Sequence, residues 1–174
     1  MSVLIGNSVS FVATAFLLLS AIARSRRGIY FFQFLECIFL IISQLVFRQV
    51  AGAVSMSFSA IRNHLASKDK YTLPYLLIIF SANAVFGIIL NTGGIVGFIP
   101  VVATLFLTVA SYFVEKPNSV RASVMINLAM WVAYSFIIRD YVSGVSNSIA
   151  LAVNAYTLVA ALCGVEGFLT KKTE

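Results

Sequence analysis

From Tyr71 to Val114 the chain carries no charged side chain, and Leu, Ile, Val, Phe and Ala dominate that stretch. A domain dissolved in water does not leave so long a segment unwetted, so the solvent implied is hydrocarbon. One helical crossing of a bilayer core about 30 Å thick takes about 20 residues, and this stretch is too long for one. Asn91-Thr92-Gly93-Gly94 divides it into two, because adjacent glycines supply turn geometry and weaken a helix. The rest of the chain has the same character, with 60% hydrophobic and 10% charged residues among 174. That length has room for at most about seven crossings and for no separate soluble domain.

Splitting the chain at its charges gives a first span from Val3 to Ala23, a second from Ile29 to Phe47 and a third from about Gln49 to Ala66. The fourth and fifth fill the uncharged stretch, and a short loop follows from Glu115 to Asn118. The sixth covers about Ala122 to Ile138, Arg139-Asp140 interrupts, and the seventh runs from about Tyr141 to Val165 before Lys171-Lys172-Thr173-Glu174. Ala21-Ile22-Ala23 has the small residues of a cleavage site, but no basic residue precedes the apolar run, so an uncleaved first helix is expected.

The formal charge of +6 does not point to nucleic acid, because the basic residues fall in the gaps between apolar runs and not on one face. They read as topology signals. The ends after spans one, three, five and seven hold Arg24, Arg26, Arg27, Lys68, Lys70, Lys116, Arg121, Lys171 and Lys172, against Arg48 and Arg139 on the opposite side. The positive-inside rule then places the N-terminus outside and the C-terminus in the cytoplasm.

The chain also repeats itself. Val12-Ala13-Thr14-Ala15-Phe16-Leu17 returns as Val102-Ala103-Thr104-Leu105-Phe106-Leu107, 90 residues on (102 − 12). At an offset of 91, Arg48 meets Arg139, Val54-Ser55-Met56-Ser57 meets Val145-Ser146-Asn147-Ser148, and Asn63 meets Asn154. One inserted loop residue reconciles the two offsets. Three spans per unit is an odd number and a fourth lies between, so the units enter the membrane in the same orientation, as parallel repeats about an axis along the membrane normal. The expected class is an all-α membrane protein of seven transmembrane helices in a 3+1+3 plan. Residues 1–70 form the first three-helix repeat, 71–94 the linker helix and loop, and 95–174 the second repeat with a short cytoplasmic tail.

This plan, with the outside N-terminus and the paired asparagines of spans three and seven, resembles the SWEET and SemiSWEET sugar facilitators of the PQ-loop superfamily. Within it, Ser59-Ala60-Ile61-Arg62-Asn63 and Asn154 resemble the YgjV family of bacterial inner-membrane proteins. The resemblance implies that Asn63 and Asn154 face a central solute and that Trp131 stacks on it. The Pro-Gln dipeptide is absent, and within the expected spans only the fourth and fifth carry a proline, Pro74 and Pro100.

Polar side chains inside a span are costly unless they face a cavity or a partner. Gln33, Glu36 and Gln44 share one stripe of span two, and Glu36 and Arg62 of span three are expected at similar depth. One reading makes Glu36 a proton or cation site with Arg62 as its switchable counter-charge. The other makes them a static ion pair, or lets Arg62 snorkel to the interface. Asn127, Trp131 and Ser135 step by four along span six, and Asn147 and Asn154 lie two turns apart on span seven. Such stripes suit a polyhydroxylated or amide-bearing solute, with asparagine offering donor and acceptor and indole a stacking face, or else they glue helices together. The candidate binding residues are therefore Asn154, Asn63, Trp131, Asn127, Asn147 and Ser59, with Glu36 and Arg62 for ion coupling.

Other features fall to packing or to the interface. Cys37 and Cys163 lie in apolar stretches without CxxC spacing and read as packing residues. His64 reads as an interfacial side chain near a helix end, and Tyr30, Phe31, Phe32, Tyr112 and Phe113 as interface-belt aromatics. No phosphate loop, metal cluster or nucleophile–base pair stands out, so neither enzyme activity nor a cofactor is expected. The expected partners are a small polar solute and the lipid bilayer, with no nucleic acid and with homo-oligomerisation left open. The expected activity is transport of a sugar-like solute in the bacterial inner membrane. A nucleoside or vitamin-precursor carrier, or a non-transporting subunit or sensor, is the alternative.

Overall fold

The computed structural model describes residues 2–46, 50–91, 94–137 and 141–163, all of it helix and connection. Seven helices follow in order: α1 (Ser2–Ile22), α2 (Arg26–Val46), α3 (Val50–Ser67), α4 (Leu73–Ile89), α5 (Gly94–Phe113), α6 (Pro117–Ile137) and α7 (Tyr141–Leu162). Four of them, α2, α5, α6 and α7, are long and apolar enough to cross a membrane. The Ser8–Ile22 part of α1 and all of α4 are shorter apolar helices. In α3, Arg62, Asn63, His64 and several serines dilute the apolar character. Arg48, Arg139 and the tail lysines lie outside the described residues.

Local chemistry sets the helix ends. Ser25 caps α2, its Oγ accepting from Gly28 N at 3.0 Å. Pro74 sits in the first turn of α4 and Pro117 opens α6, where a missing N–H costs nothing. Helix α6 thus starts five residues before the expected Ala122 and takes Arg121 into its first turns. Helix α3 ends in a left-handed residue, Asp69 at φ 52°, with Lys70 N donating to Leu65 O at 2.9 Å. The α4–α5 break falls where the glycines predicted it, with Gly94 at φ 60° and Asn91 Nδ2 donating to Gly94 O at 2.9 Å.

The molecule is apolar outside and carries many polar side chains in its interior. Phe11, Ile78, Ile88, Ile89, Ile95, Phe113 and Tyr156 stand exposed, whereas Gln33, Ser59, Arg62, Asn63, Thr104, Thr108 and Ser135 are buried. That inversion is what a lipid solvent selects. Helix α1 packs on α2 and α2 on α3; α5 packs on α6 and α6 on α7. The two groups meet through α1 with α7, α3 with α5, and α2 with α6, while α4 bridges α3 and α5 from outside. Leaving α4 aside, exchanging helices 1, 2, 3 for 5, 6, 7 returns the same set of neighbours.

One end of the bundle is sealed. Arg26 donates through Nη1 to Asp69 Oδ1 at 3.2 Å and through Nη2 to Ser111 O at 3.0 Å, and its guanidinium lies 5.6 Å from the Tyr30 ring centroid. Arg27 also pairs with Asp69. From the other half, Arg121 donates to Ala23 O at 2.5 Å and to Asn118 Oδ1 at 3.1 Å. Each half thus sends an arginine to a backbone carbonyl of the other. Thr157 adds a bond from α7 to Ala21 O at 3.1 Å. Tyr71, in the α3–α4 connection, donates to Thr108 O at 3.1 Å; burial pushes its hydroxyl up to about 12, so it remains a donor. Behind these contacts Ser20, Ile29, Tyr30, Ser111 and Val120 are almost wholly excluded from solvent. Tyr30 is therefore a core residue and not part of an interface belt, whereas Phe31 and Phe113 are exposed as expected.

Candidate functional site

A cavity of about 100 Å³ lies between the two groups of three helices, and every one of those six helices lines it while α4 contributes nothing. Leu17, Leu107 and Val124 form its apolar floor above the sealed end. At the opposite end Ser10, Gln44, Val142 and Ser143 line it, and Val142 is 47% exposed.

The lining repeats in register. On α2 it comprises Gln33, Glu36, Cys37, Leu40 and Gln44; adding 91 to each gives Val124, Asn127, Leu128, Trp131 and Ser135, the lining of α6 apart from Tyr134. Adding 90 to Thr14 and Leu17 of α1 gives Thr104 and Leu107 of α5, which also line it. Elsewhere the match is partial: Ser10 and Ala13 of α1 line the cavity while Pro100 and Ala103 of α5 do not, and of the α3 lining only Met56 has its counterpart, Asn147, in the lining of α7. Helix α3 contributes Met56, Ser59, Arg62 and Asn63, mostly from its C-terminal half, whereas α7 contributes Val142, Ser143, Ser146 and Asn147 from its N-terminal half.

Of the residues singled out in the sequence, Asn63, Trp131, Asn127, Asn147, Ser59, Glu36 and Arg62 line the cavity. Asn154 does not. It is buried, its Nδ2 donates to Ala150 O at 3.0 Å, and it lies seven residues, about 10 Å, from Asn147 toward the sealed end. There α7 is drawn onto α1 by the Thr157 bond.

Arg62 is 2% exposed and is held from three sides. Its Nε and Nη2 donate to Asn63 Oδ1 at 3.1 and 3.0 Å, and its Nη1 donates to Thr108 Oγ1 at 3.3 Å and Thr104 O at 3.5 Å. All these acceptors are neutral. Asn63 Nδ2 donates in turn to Cys37 Sγ at 3.6 Å, which places Arg62 and Asn63 at the depth of Glu36 and Cys37 on the neighbouring helix. Among the described residues the ion pairs are those of Asp69 with Arg26 and Arg27, so Glu36 and Arg62 face one void without touching. Neither the static pair nor the snorkelling arginine describes this geometry.

Other polar residues of the lining, Ser10, Thr14, Tyr134, Ser143 and Ser146, were not singled out as site residues. Thr14 did carry a signal, since it belongs to the repeated segment. Cys37 is buried in an apolar cluster with Met56 and Ala60, as expected of a packing residue, and also lines the cavity and accepts from Asn63; Cys163 is exposed just beyond α7. His64 packs on Phe34, ring centroids 5.0 Å apart, along an apolar groove of the outer surface formed by α2 and α3. Among the described residues no group of His, Cys, Asp and Glu is arranged to hold a metal ion.

An all-helical bundle, apolar outside and with polar side chains buried within, with several helices able to cross a bilayer, defines a multi-pass integral membrane protein with an internal cavity lined by polar and apolar groups. Residues 4–162 match the family model Imp-YgjV, described as a bacterial inner membrane protein, and the chain belongs to that family. No curated protein and no solved structure matches it significantly.

Proposed function

We propose that the protein is a transporter in which two three-helix repeats of SWEET-like plan rock about the central cavity and carry a small polar solute across the inner membrane. The observation that carries this reading is the cavity lining, built by the six helices of both halves, with α2 matched to α6 position by position. A site shared evenly between two halves changes shape when they tilt against each other, which is what alternating access requires. The neighbour relations of the helices support the same reading, because they survive exchange of the two halves. A floor of Leu17, Leu107 and Val124 above the sealed end fits one of the two end states, open at the end of Gln44 and Val142. The positive-inside rule makes the arginine-rich sealed end cytoplasmic, with the N-terminus outside.

Asn127, Asn147 and Trp131 supply amide and indole surfaces for a sugar-like solute or a nucleoside. The test is uptake of labelled sugars, nucleosides and amino acids by proteoliposomes holding this protein alone. At least one solute enters saturably, and Asn127→Trp, which fills the cavity, lowers that uptake at least about tenfold, as loss of one transition-limiting contact set does. A non-transporting subunit or sensor gives no flux above protein-free vesicles for any solute, and that result removes the carrier reading.

A further inference from the structure

We infer that the cavity binds a small zwitterion, a molecule bearing one carboxylate and one ammonium in the manner of a small α-amino acid. Its carboxylate lies against Arg62 and its ammonium against Glu36 and Gln33. This deepens the transport reading and rests on it for the cavity's being a solute path.

The two charges carry the inference. A buried guanidinium whose hydrogen-bond acceptors are all neutral has no ion-pair partner inside a membrane protein, a costly arrangement that an incoming anion relieves. Glu36, on the same void and at the same depth, has neither an ion pair nor a hydrogen bond with the described residues. Had the two served only to hold α2 on α3, direct contact would be the lowest-energy geometry. Instead a cavity lies before both, and Asn63 fixes the guanidinium to its own helix.

The acceptors of α2 identify the positive end. Gln33, 4% exposed, and Gln44 each present a buried side-chain oxygen with no hydrogen-bond partner, and both line the cavity. An orphaned buried acceptor is costly until a donor arrives. Gln33 lies one turn, about 4.5 Å, from Glu36, so one ammonium with three N–H groups reaches carboxylate and amide together.

Charge matching favours one ligand class. A neutral sugar or a cation leaves Arg62 without a counter-charge, and an anion alone leaves Glu36 without the ammonium that would favour its ionised form; a zwitterion serves both. The second half repeats neither charge, because Glu36 corresponds to Asn127 and Arg62 to Val153 at the 91-residue offset. The first half thus holds the charged ends of the solute, and Asn127, Trp131 and Asn147 of the second half face its remaining atoms.

Trp131, the chain's only tryptophan, lines the cavity and makes a direct optical probe of occupancy. Purified protein is titrated with glycine, L-alanine and L-serine, and with propionate, ethanolamine and alaninol, which keep only one charge. Glucose and uridine complete the set, and thermal unfolding midpoints are read in parallel. The expected result is saturable binding of the amino acids, weaker by at least about tenfold for each one-charge analogue, the effect of losing one charge-assisted contact. Arg62→Gln and Glu36→Gln each weaken alanine by a similar factor; the analogue series on the native protein decides the matter if either variant fails to fold. Equal binding of alanine and propionate overturns the inference, as does silence of both readouts to all amino acids. Saturation by glucose or uridine with amino acids silent overturns it while leaving the carrier reading intact. Amino-acid binding without flux in proteoliposomes supports the site and removes transport instead.

Discussion

Single residues show where the sequence speaks for itself. A charge or an amide inside an apolar span is conspicuous because it is expensive, so Glu36, Arg62, Asn63, Asn127 and Asn147 were visible before any coordinates, and all five line the cavity. Asn154, expected from the repeat, the family resemblance and its stripe on span seven, lies outside the cavity lining, because periodicity fixes which face a residue occupies and not whether a neighbouring helix closes over that face. Tyr30 is misplaced for the opposite reason: its position at a helix start suggests the interface, but the Arg26 guanidinium beside it turns that end of the bundle into a packed seal. Gly87 is a closer case of sequence silence. A Cβ there would meet Val101 Cγ1 at 2.7 Å, so α4 docks on α5 only because the residue is glycine. Gly87→Leu is expected to lower stability by about 1–3 kcal/mol, the usual effect of overpacking, read as a drop in thermal midpoint in detergent. Ile88→Leu, on the 64% exposed neighbour, leaves the midpoint in place.

At the scale of elements, seven helices were legible from the charge breaks and the Asn91–Gly94 turn, because hydrocarbon tolerates little backbone outside helices. Boundaries set by capping were not. Helix α6 begins at Pro117 because a proline at the first helical position is already pre-organised, a signal that hydropathy does not weigh. The α3–α4 connection turns on Asp69, which takes the left-handed conformation usual for glycine while its carboxylate receives both Arg26 and Arg27. Substitution separates these roles. Asp69→Asn keeps a residue that tolerates φ > 0 and loses only partly exposed ion pairs, worth about 0.2–1 kcal/mol. Asp69→Ala adds the left-handed strain of about 1 kcal/mol and is expected to be the less stable of the two by that margin in thermal or urea unfolding.

For the whole molecule, the two offsets of 90 and 91 residues, read from one hexapeptide and a few polar positions, also relate the cavity-lining residues of α1 to α5 and of α2 to α6. What the repeat does not predict is its own breakdown. Helix α3 lines the cavity mostly through its C-terminal half and α7 through its N-terminal half, a difference that side-chain periodicity does not encode. The arginine contacts at the sealed end depend on the same relation between halves. Arg26 and Arg121 count in the sequence only as topology charges, yet each reaches a carbonyl of the opposite half. Parting the halves at that end must break both bonds, and closing the other end over the cavity completes the cycle the transport reading requires.

Access to mid-cavity from both faces of the membrane is the most direct measure of that cycle. In a chain with Cys37→Ala and Cys163→Ser, a cysteine introduced at Asn127 is treated with a membrane-impermeant maleimide in right-side-out and in inside-out vesicles. Alternating access predicts labelling in both, faster from the end of Gln44 and Val142. Labelling from one face alone, with the other silent however long the exposure, would mark a dead-end pocket and contradict transport through this chamber.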